Sequence, residues 1–213
     1  MEFNEFVENV RRELNNELPG EEAQLLMSPL NRATQKQALK LIPNPTPSAI
    51  LILLYPLNNI PHTILMVRNS YNGHHSGQVS FPGGKVEASD QNLSQTALRE
   101  FEEEMGVNTE KVEIIGELSS LIIPPSGFKV SPFIGVARSS IYPKPDKIEV
   151  AETIESSIKY LFDAGNKSVQ IVHSSAANTK LKAPAYLING NVIWGATAMI
   201  LSELESLCKR FNF

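Results

Sequence analysis

GGKVEASDQNLSQTALREFEEEMGV, residues 83–107, is the stretch that decides how the rest of the chain is read. From about Asn92 to Met105 apolar side chains return at three- and four-residue steps, which predicts a helix, and Gly106 is placed to end it. At roughly 100° per residue, Ala97, Leu98, Phe101 and Met105 fall on one stripe that must face a core. Glu100, Glu103 and Glu104 fall on the adjoining arc. Carboxylates at these spacings repel one another, by about 0.2–0.5 kcal/mol per pair. A divalent cation relieves that repulsion, because Mg²⁺ and Mn²⁺ prefer carboxylate oxygens and keep waters and substrate phosphates in the rest of their shell. A solvated acidic face is the other reading of EFEEEM, and the helix alone does not choose between them.

Outward from this stretch the pattern is that of alternating strands and helices. Pro82-Gly83-Gly84 reads as a turn, Val79 to Phe81 as a short strand with Phe81 in the core, and Asn69 to Gln78 as a polar loop with glycines. Before the loop lie two apolar runs of strand length, Ala49 to Tyr55 and His62 to Arg68, with Pro56 to Pro61 turning between them. Downstream, Val112 to Leu118 and Lys129 to Ala137 read as strands, Glu152 to Phe162 as a helix, Gln170 to His173 and Ala185 to Ile188 as strands, and Trp194 to Phe211 as a closing helix. At the start, Phe3, Phe6, Val7, Val10 and Leu14 mark an amphipathic helix stopped at Pro19-Gly20. Residues 21–41 give no clear period, and Pro43, Pro45 and Pro47 make a stiff loop. The expected organisation is a helical extension, 1–44, packed on a main domain, 45–213.

Composition bounds the partners. With 213 residues, 42% apolar and 20% charged, the chain can bury one substantial core and is far from the signature of disorder. A net charge of −4 without a Lys/Arg cluster argues against nucleic acid or an anionic membrane surface as partner, so a polyanionic substrate would need metal ions or a local pocket. One cysteine, Cys208, excludes an internal disulfide and fits a reducing cytoplasm, where the chain is expected. The first residues resemble no secretory or transit signal, and no apolar run nears the roughly 20 residues of a membrane span.

Residues 84–107 resemble the Nudix box, G-x5-E-x7-R-E-U-x-E-E-x-G-U with U a bulky apolar residue. Gly84, Arg99, Glu100, Phe101, Glu103, Glu104, Gly106 and Val107 fall in order, unbroken from Arg99 onward. Asp90 stands where the box has its early glutamate, and the gap from it to Arg99 is one residue longer. The resemblance implies an α/β fold, the Nudix α/β/α sandwich with a mixed β-sheet and a loop-helix-loop catalytic box. It implies hydrolysis of a pyrophosphate bond with Mg²⁺ or Mn²⁺. Glu100 and Glu104 would then be metal ligands and Glu103 a ligand or the base that orients water. Gly84 would bring a backbone carbonyl to the metal, and Arg99 would hold the rotamer of Glu103. Glu149 and Glu152, in IEVAETIE, are open to two readings, further ligands or bases, or a solvated helix start.

The preceding segment, LMVRNSYNGHHSGQVSFPGG, resembles the signature of the coenzyme A diphosphatases at Arg68, His75, Gly77, Gln78, Phe81, Pro82, Gly83 and Gly84, and the longer box is usual in that subfamily. SGFKVSPFIGV and IWGATAMIL continue the likeness, which covers about residues 49–205. Such a loop suits a ligand clamp. Arg68 can fork onto phosphate, His75 can donate a hydrogen bond, and Gly77 and Gly83 let amides approach an anion. Trp194, Gly195 and Thr197 are open to two readings, ligand binding or packing in a homodimer, with packing the first. The implied substrate is a nucleoside diphosphate derivative, coenzyme A first, yielding 3′,5′-ADP and 4′-phosphopantetheine. ADP-ribose or a dinucleotide is the alternative. A non-catalytic Nudix-like sensor belongs to another class, whose members typically lose box glutamates that this chain retains.

Overall fold

The computed structural model describes residues 1–30, 32–69, 77–174 and 179–213. In chain order its elements are α1 (Phe3–Leu14), α2 (Gly20–Leu25), α3 (Gln35–Leu41), β1 (Thr46–Leu57), β2 (Ile60–Arg68), β3 (Val79–Ser80), β4 (Gly83–Lys85), α4 (Leu93–Met105), β5 (Glu113–Glu117), β6 (Leu121–Ile123), β7 (Phe128–Val136), β8 (Val150–Ser157), α5 (Ile158–Leu161), β9 (Lys167–Ser174), β10 (Thr179–Ile188), β11 (Asn191–Trp194) and α6 (Ala196–Lys209). β1 pairs antiparallel with β2 and β4 and parallel with β7, so the sheet is mixed. β5 and β6 pair with β7, β3 and β8 with β2, and a separate sheet runs β11-β10-β9.

Side chains alternate across a strand, and β1 is apolar on both faces, so each face demands its own cover. Leu51, Leu53 and Tyr55 pack with Ala97, Phe101 and Met105 of α4, while Ile52 and Leu54 join a second cluster with α1 and α6. The result is the α/β/α sandwich. The apolar stripe of α1 supplies Phe3, Phe6, Val7 and Val10 to that second cluster, each at most 2% exposed. Residues 20–35 are tied down by polar groups. The buried Glu203 of α6 accepts from the Gly20 amide (3.1 Å), the Ser119 amide (3.1 Å) and Gln24 Nε2 (2.8 Å). Both sides of the Ile122 peptide are taken, its carbonyl by Arg32 Nη2 (2.9 Å) and its amide by Gln35 Oε1 (2.9 Å), which closes an edge of β6.

Several expectations need correction. Residues 152–157 are strand, the body of β8, and only 158–161 are helical. The apolar residues Val150, Ile154 and Ile158 stand four apart and imitate a helix. In fact β8 pairs with β2, and a register shift between Val67 and Arg68 disturbs the two-residue period. Trp194 ends β11, so the closing helix begins only at Ala196. The turn at 82–84 is largely strand, since Gly83 and Gly84 pair with Ile50 and Ala49. Strand β6 had no separate signal in the sequence. Cys208 is buried in the α6 core. Among the described residues no helix is long and apolar enough to cross a membrane.

Candidate active site

Helix α4 starts at Asn92, whose side chain accepts from the Gln95 amide (3.0 Å), and stops at Gly106 in the left-handed region (φ 62°). The loop before it is folded back onto the helix by Asp90. That carboxylate receives Arg99 Nε and Nη2 (3.0 Å each), the Thr96 hydroxyl (2.9 Å) and the Glu87 amide (2.9 Å). The forked Arg99 bonds and the Glu87 amide hold the Asp90 carboxyl well below the usual carboxylate range. Arg99 also donates to Lys85 O, Glu100 Oε1 and Glu103 Oε2, at 3.0, 3.1 and 3.0 Å. One guanidinium thus fixes the loop, the turn of β4 and two of the three box glutamates.

The three carboxylates sit at graded depth. Glu104 has a side chain 2% exposed, Glu100 17% and Glu103 59%. Glu104 accepts from Arg68 Nη1 (3.1 Å) and from the Gly83 amide (2.8 Å). Burial pushes its carboxyl up to about 7, against the pull of Arg68 and the Gly83 amide, and the charges of Glu100 and Glu149 add to the rise. Glu100 is likewise raised, by burial first, with Arg99 opposing and Glu103 and Glu149 contributing. The Gly84 backbone lies against Glu100 so closely that a Cβ there would run into its carboxylate. Glu149 reaches the cluster from the far side, 3.7 Å from Arg68 Nη2. Glu152 is an exposed residue of β8 opposite Val67, so the two downstream glutamates part ways.

Arg68 differs from the free phosphate fork expected of it. Its guanidinium is turned to Glu104 and Glu149, because a buried carboxylate needs a cation or a donor beside it. Gly77 is exposed, with φ 66°. His75 lies outside the described residues. The carboxylates form a surplus without a closed cage, and among the described residues no three acidic, histidine or cysteine side chains converge on one point. A magnesium-like ion is usually held by one or two carboxylates while waters and substrate phosphates complete its shell.

A cleft of about 940 Å³ opens beside this cluster. Its lining includes Arg68, Gln78, Gly83, Gly84 and Glu100, the sheet residues Ile50, Phe128 and Val130, and Trp194, Gly195 and Thr197. Thr197 also donates to Val79 O (2.9 Å), tying α6 to β3. Pro29, Leu30, Arg32 and Ala33 complete the cleft from the N-terminal segment. Sequence reasoning missed these four, since a single arginine in an aperiodic stretch carries no local signal.

A mixed sheet thus lies between helical layers, and the carboxylates of α4 gather beside a cleft that Glu100 lines. The chain belongs to the Nudix hydrolase family. The NUDIX domain profile matches residues 45–158. A Nudix hydrolase NudL of Yersinia enterocolitica is 33% identical over 144 residues, 68% of this chain and 72% of its own. The NudL of Yersinia pestis is 31% identical over 188 residues, 88% of this chain and 87% of its own. Among solved structures, the Nudix hydrolase RenU from M. smegmatis shares the fold, with a TM-score of 0.50 at 14% identity over 88% of this chain and 97% of that one. Enzymes of this family act on nucleoside diphosphate derivatives and generally use divalent metal ions.

Proposed function

We propose that the chain hydrolyses the diphosphate bond of coenzyme A, releasing 3′,5′-ADP and 4′-phosphopantetheine. The observation that supports this reading is that part of the segment resembling the coenzyme A diphosphatase signature and the first box glutamate, Glu100, line one cleft. Arg68, Gln78, Phe81, Gly83 and Gly84 line it together with Glu100. Its volume of about 940 Å³ lies at the upper end of the range for small-molecule sites, as a long substrate with two arms requires.

Glu100 and Glu104, with the Gly84 carbonyl, are the groups that would hold Mg²⁺ or Mn²⁺. A bound cation supplies positive charge to the diphosphate and a more acidic water. Glu103, at the exposed rim, accepts the proton of the attacking water, and Arg99 holds its rotamer through the 3.0 Å contact. Water adds to one phosphorus, the bridging P–O bond breaks and the departing phosphate takes the electron pair. Arg68 keeps the buried Glu104 oriented and balances the charge of Glu149. The Gly83 amide fixes the other Glu104 oxygen.

The test is incubation of the purified enzyme with coenzyme A, dephospho-coenzyme A and ADP-ribose, with Mg²⁺, Mn²⁺ or excess chelator, and identification of products by mass. Coenzyme A is expected to give the highest kcat/KM. A clear preference for ADP-ribose would sink the substrate while leaving the family chemistry intact. Undiminished turnover in chelator would overturn the metal role of the glutamates.

A further inference from the structure

Arg11, Arg12, Arg68, Arg99, Arg138 and Arg210 each face a carboxylate. Arg32 does not, and the undescribed residues, 31, 70–76 and 175–178, include no acidic side chain that could serve it. Yet Arg32 is half-buried in the cleft wall, and burial lowers its pKa with no acid to offset the loss of water. A guanidinium has five N–H donors, and the one hydrogen bond described for the Arg32 side chain goes to Ile122 O. A desolvated cation without a counter-charge is costly, and in a cleft that takes polyanions the missing partner is an anion of the ligand.

Its place in the sheet says which anion. Gly84 of β4 pairs with Ala49 of β1, which pairs with Ser131 of β7, and the neighbouring Lys129 of β7 pairs with Ile122 of β6. Three strand spacings of about 4.8 Å, with an offset of two residues, put the Ile122 backbone roughly 15 Å from Gly84. Ile50 of β1 and Phe128 and Val130 of β7, the strands that separate β4 from β6, line the same cleft. A diphosphate held at Glu100 does not reach so far.

We infer that Arg32 binds a second anionic group of the substrate, a phosphate monoester remote from the diphosphate that is cut. Naming that group rests on the reading above, in which it is the ribose 3′-phosphate of coenzyme A. Specificity then comes from a residue outside the segment that defines the family.

Binding and kinetics together decide the matter. Calorimetry of 3′,5′-ADP and 5′-AMP on wild type, Arg32→Ala and Arg32→Lys needs no turnover. Arg32→Ala is expected to weaken 3′,5′-ADP about 10- to 100-fold and 5′-AMP far less, with Arg32→Lys in between. In turnover, Arg32→Ala is expected to raise KM for coenzyme A, with a much smaller change in kcat, and to erode its advantage over dephospho-coenzyme A. Equal losses for both nucleotides, or a loss confined to kcat, would reduce Arg32 to a pin that holds its segment on Ile122. Equal affinity of the wild type for the two nucleotides would overturn the inference outright. Should Arg32→Ala fail to fold, the Arg32→Lys ratio decides on the same pair. A wild type that prefers 3′,5′-ADP but does not cleave coenzyme A would instead overturn the proposed substrate and leave Arg32 standing.

Discussion

Glu103, Glu104 and Glu100 occupy three successive positions on one helical arc, yet their surroundings assign them different work. Glu103 stands 59% exposed and touches only Arg99 among the described hydrogen bonds, so its loss removes charge without opening the core. Glu103→Gln is expected to lower kcat by at least about 100-fold, roughly 2.7 kcal/mol of transition-state stabilisation, at an unchanged melting temperature. A variant within threefold of wild type would take Glu103 out of the mechanism. The two adjacent glycines make a sharper contrast. Gly83 has φ 153°, and a Cβ there would meet the Ala49 carbonyl and Ile50 Cα, both backbone. Gly83→Ala should therefore destabilise the fold by more than about 1 kcal/mol in urea. At Gly84 the obstacle is only the Glu100 carboxylate, the far end of a flexible side chain. Gly84→Ala should melt like wild type but lose both turnover and the rise in melting temperature expected of the wild type on adding Mg²⁺. A strongly destabilised Gly84→Ala with intact cation response would contradict this assignment.

The loop-helix-loop around α4 is one electrostatic unit whose hub is the Asp90–Arg99 fork. Because the folded pKa of Asp90 is depressed, its contribution to stability is complete above the unfolded value of about 3.9 and is lost as pH falls through the still lower folded value. Asp90→Asn should thus be less stable than wild type at pH 7, and the gap should begin to narrow below about pH 4 and keep shrinking as pH falls further. A gap that stays constant from pH 7 to pH 3 would mean that the carboxylate charge is irrelevant. The same element shows why the sequence could be read where it could. Helix α4 has cap, stripe and stop in one local stretch, and β1 and β2 carry apolar runs of strand length with a proline turn between them. Local pattern failed at β8, where the register shift against β2 sets the spacing of its buried residues, and at β11 and β6, too short to establish a period. It failed at Arg32 for a deeper reason. Nothing near position 32 records that residues about 90 positions later, around Ile122, will lie beside it.

Across the whole molecule, the family-defining segment shares its core with elements outside it. Residues 45–158 lack both α1 and α6, whose apolar side chains fill the core behind β1. At roughly 1.5–3 kcal/mol for each fully buried apolar side chain, Phe3, Phe6, Val7 and Val10 alone approach the 5–15 kcal/mol that holds a typical domain together. A fragment of residues 45–158 is expected to show no cooperative thermal transition and no resolved near-UV signal. A cooperative transition near that of the full chain would refute this dependence. The last helix adds one more practical property. Cys208 is the single thiol of the chain, 1% exposed, and burial, aided by Glu205, raises its pKa far above that of a free cysteine. The native chain offers an alkylating reagent no thiolate, so labelling can proceed only as fast as α6 lifts from the sheet. One mass shift, followed over time, becomes a stopwatch for the opening of the core, and a cysteine installed at the cleft can carry a probe without competition from the native one.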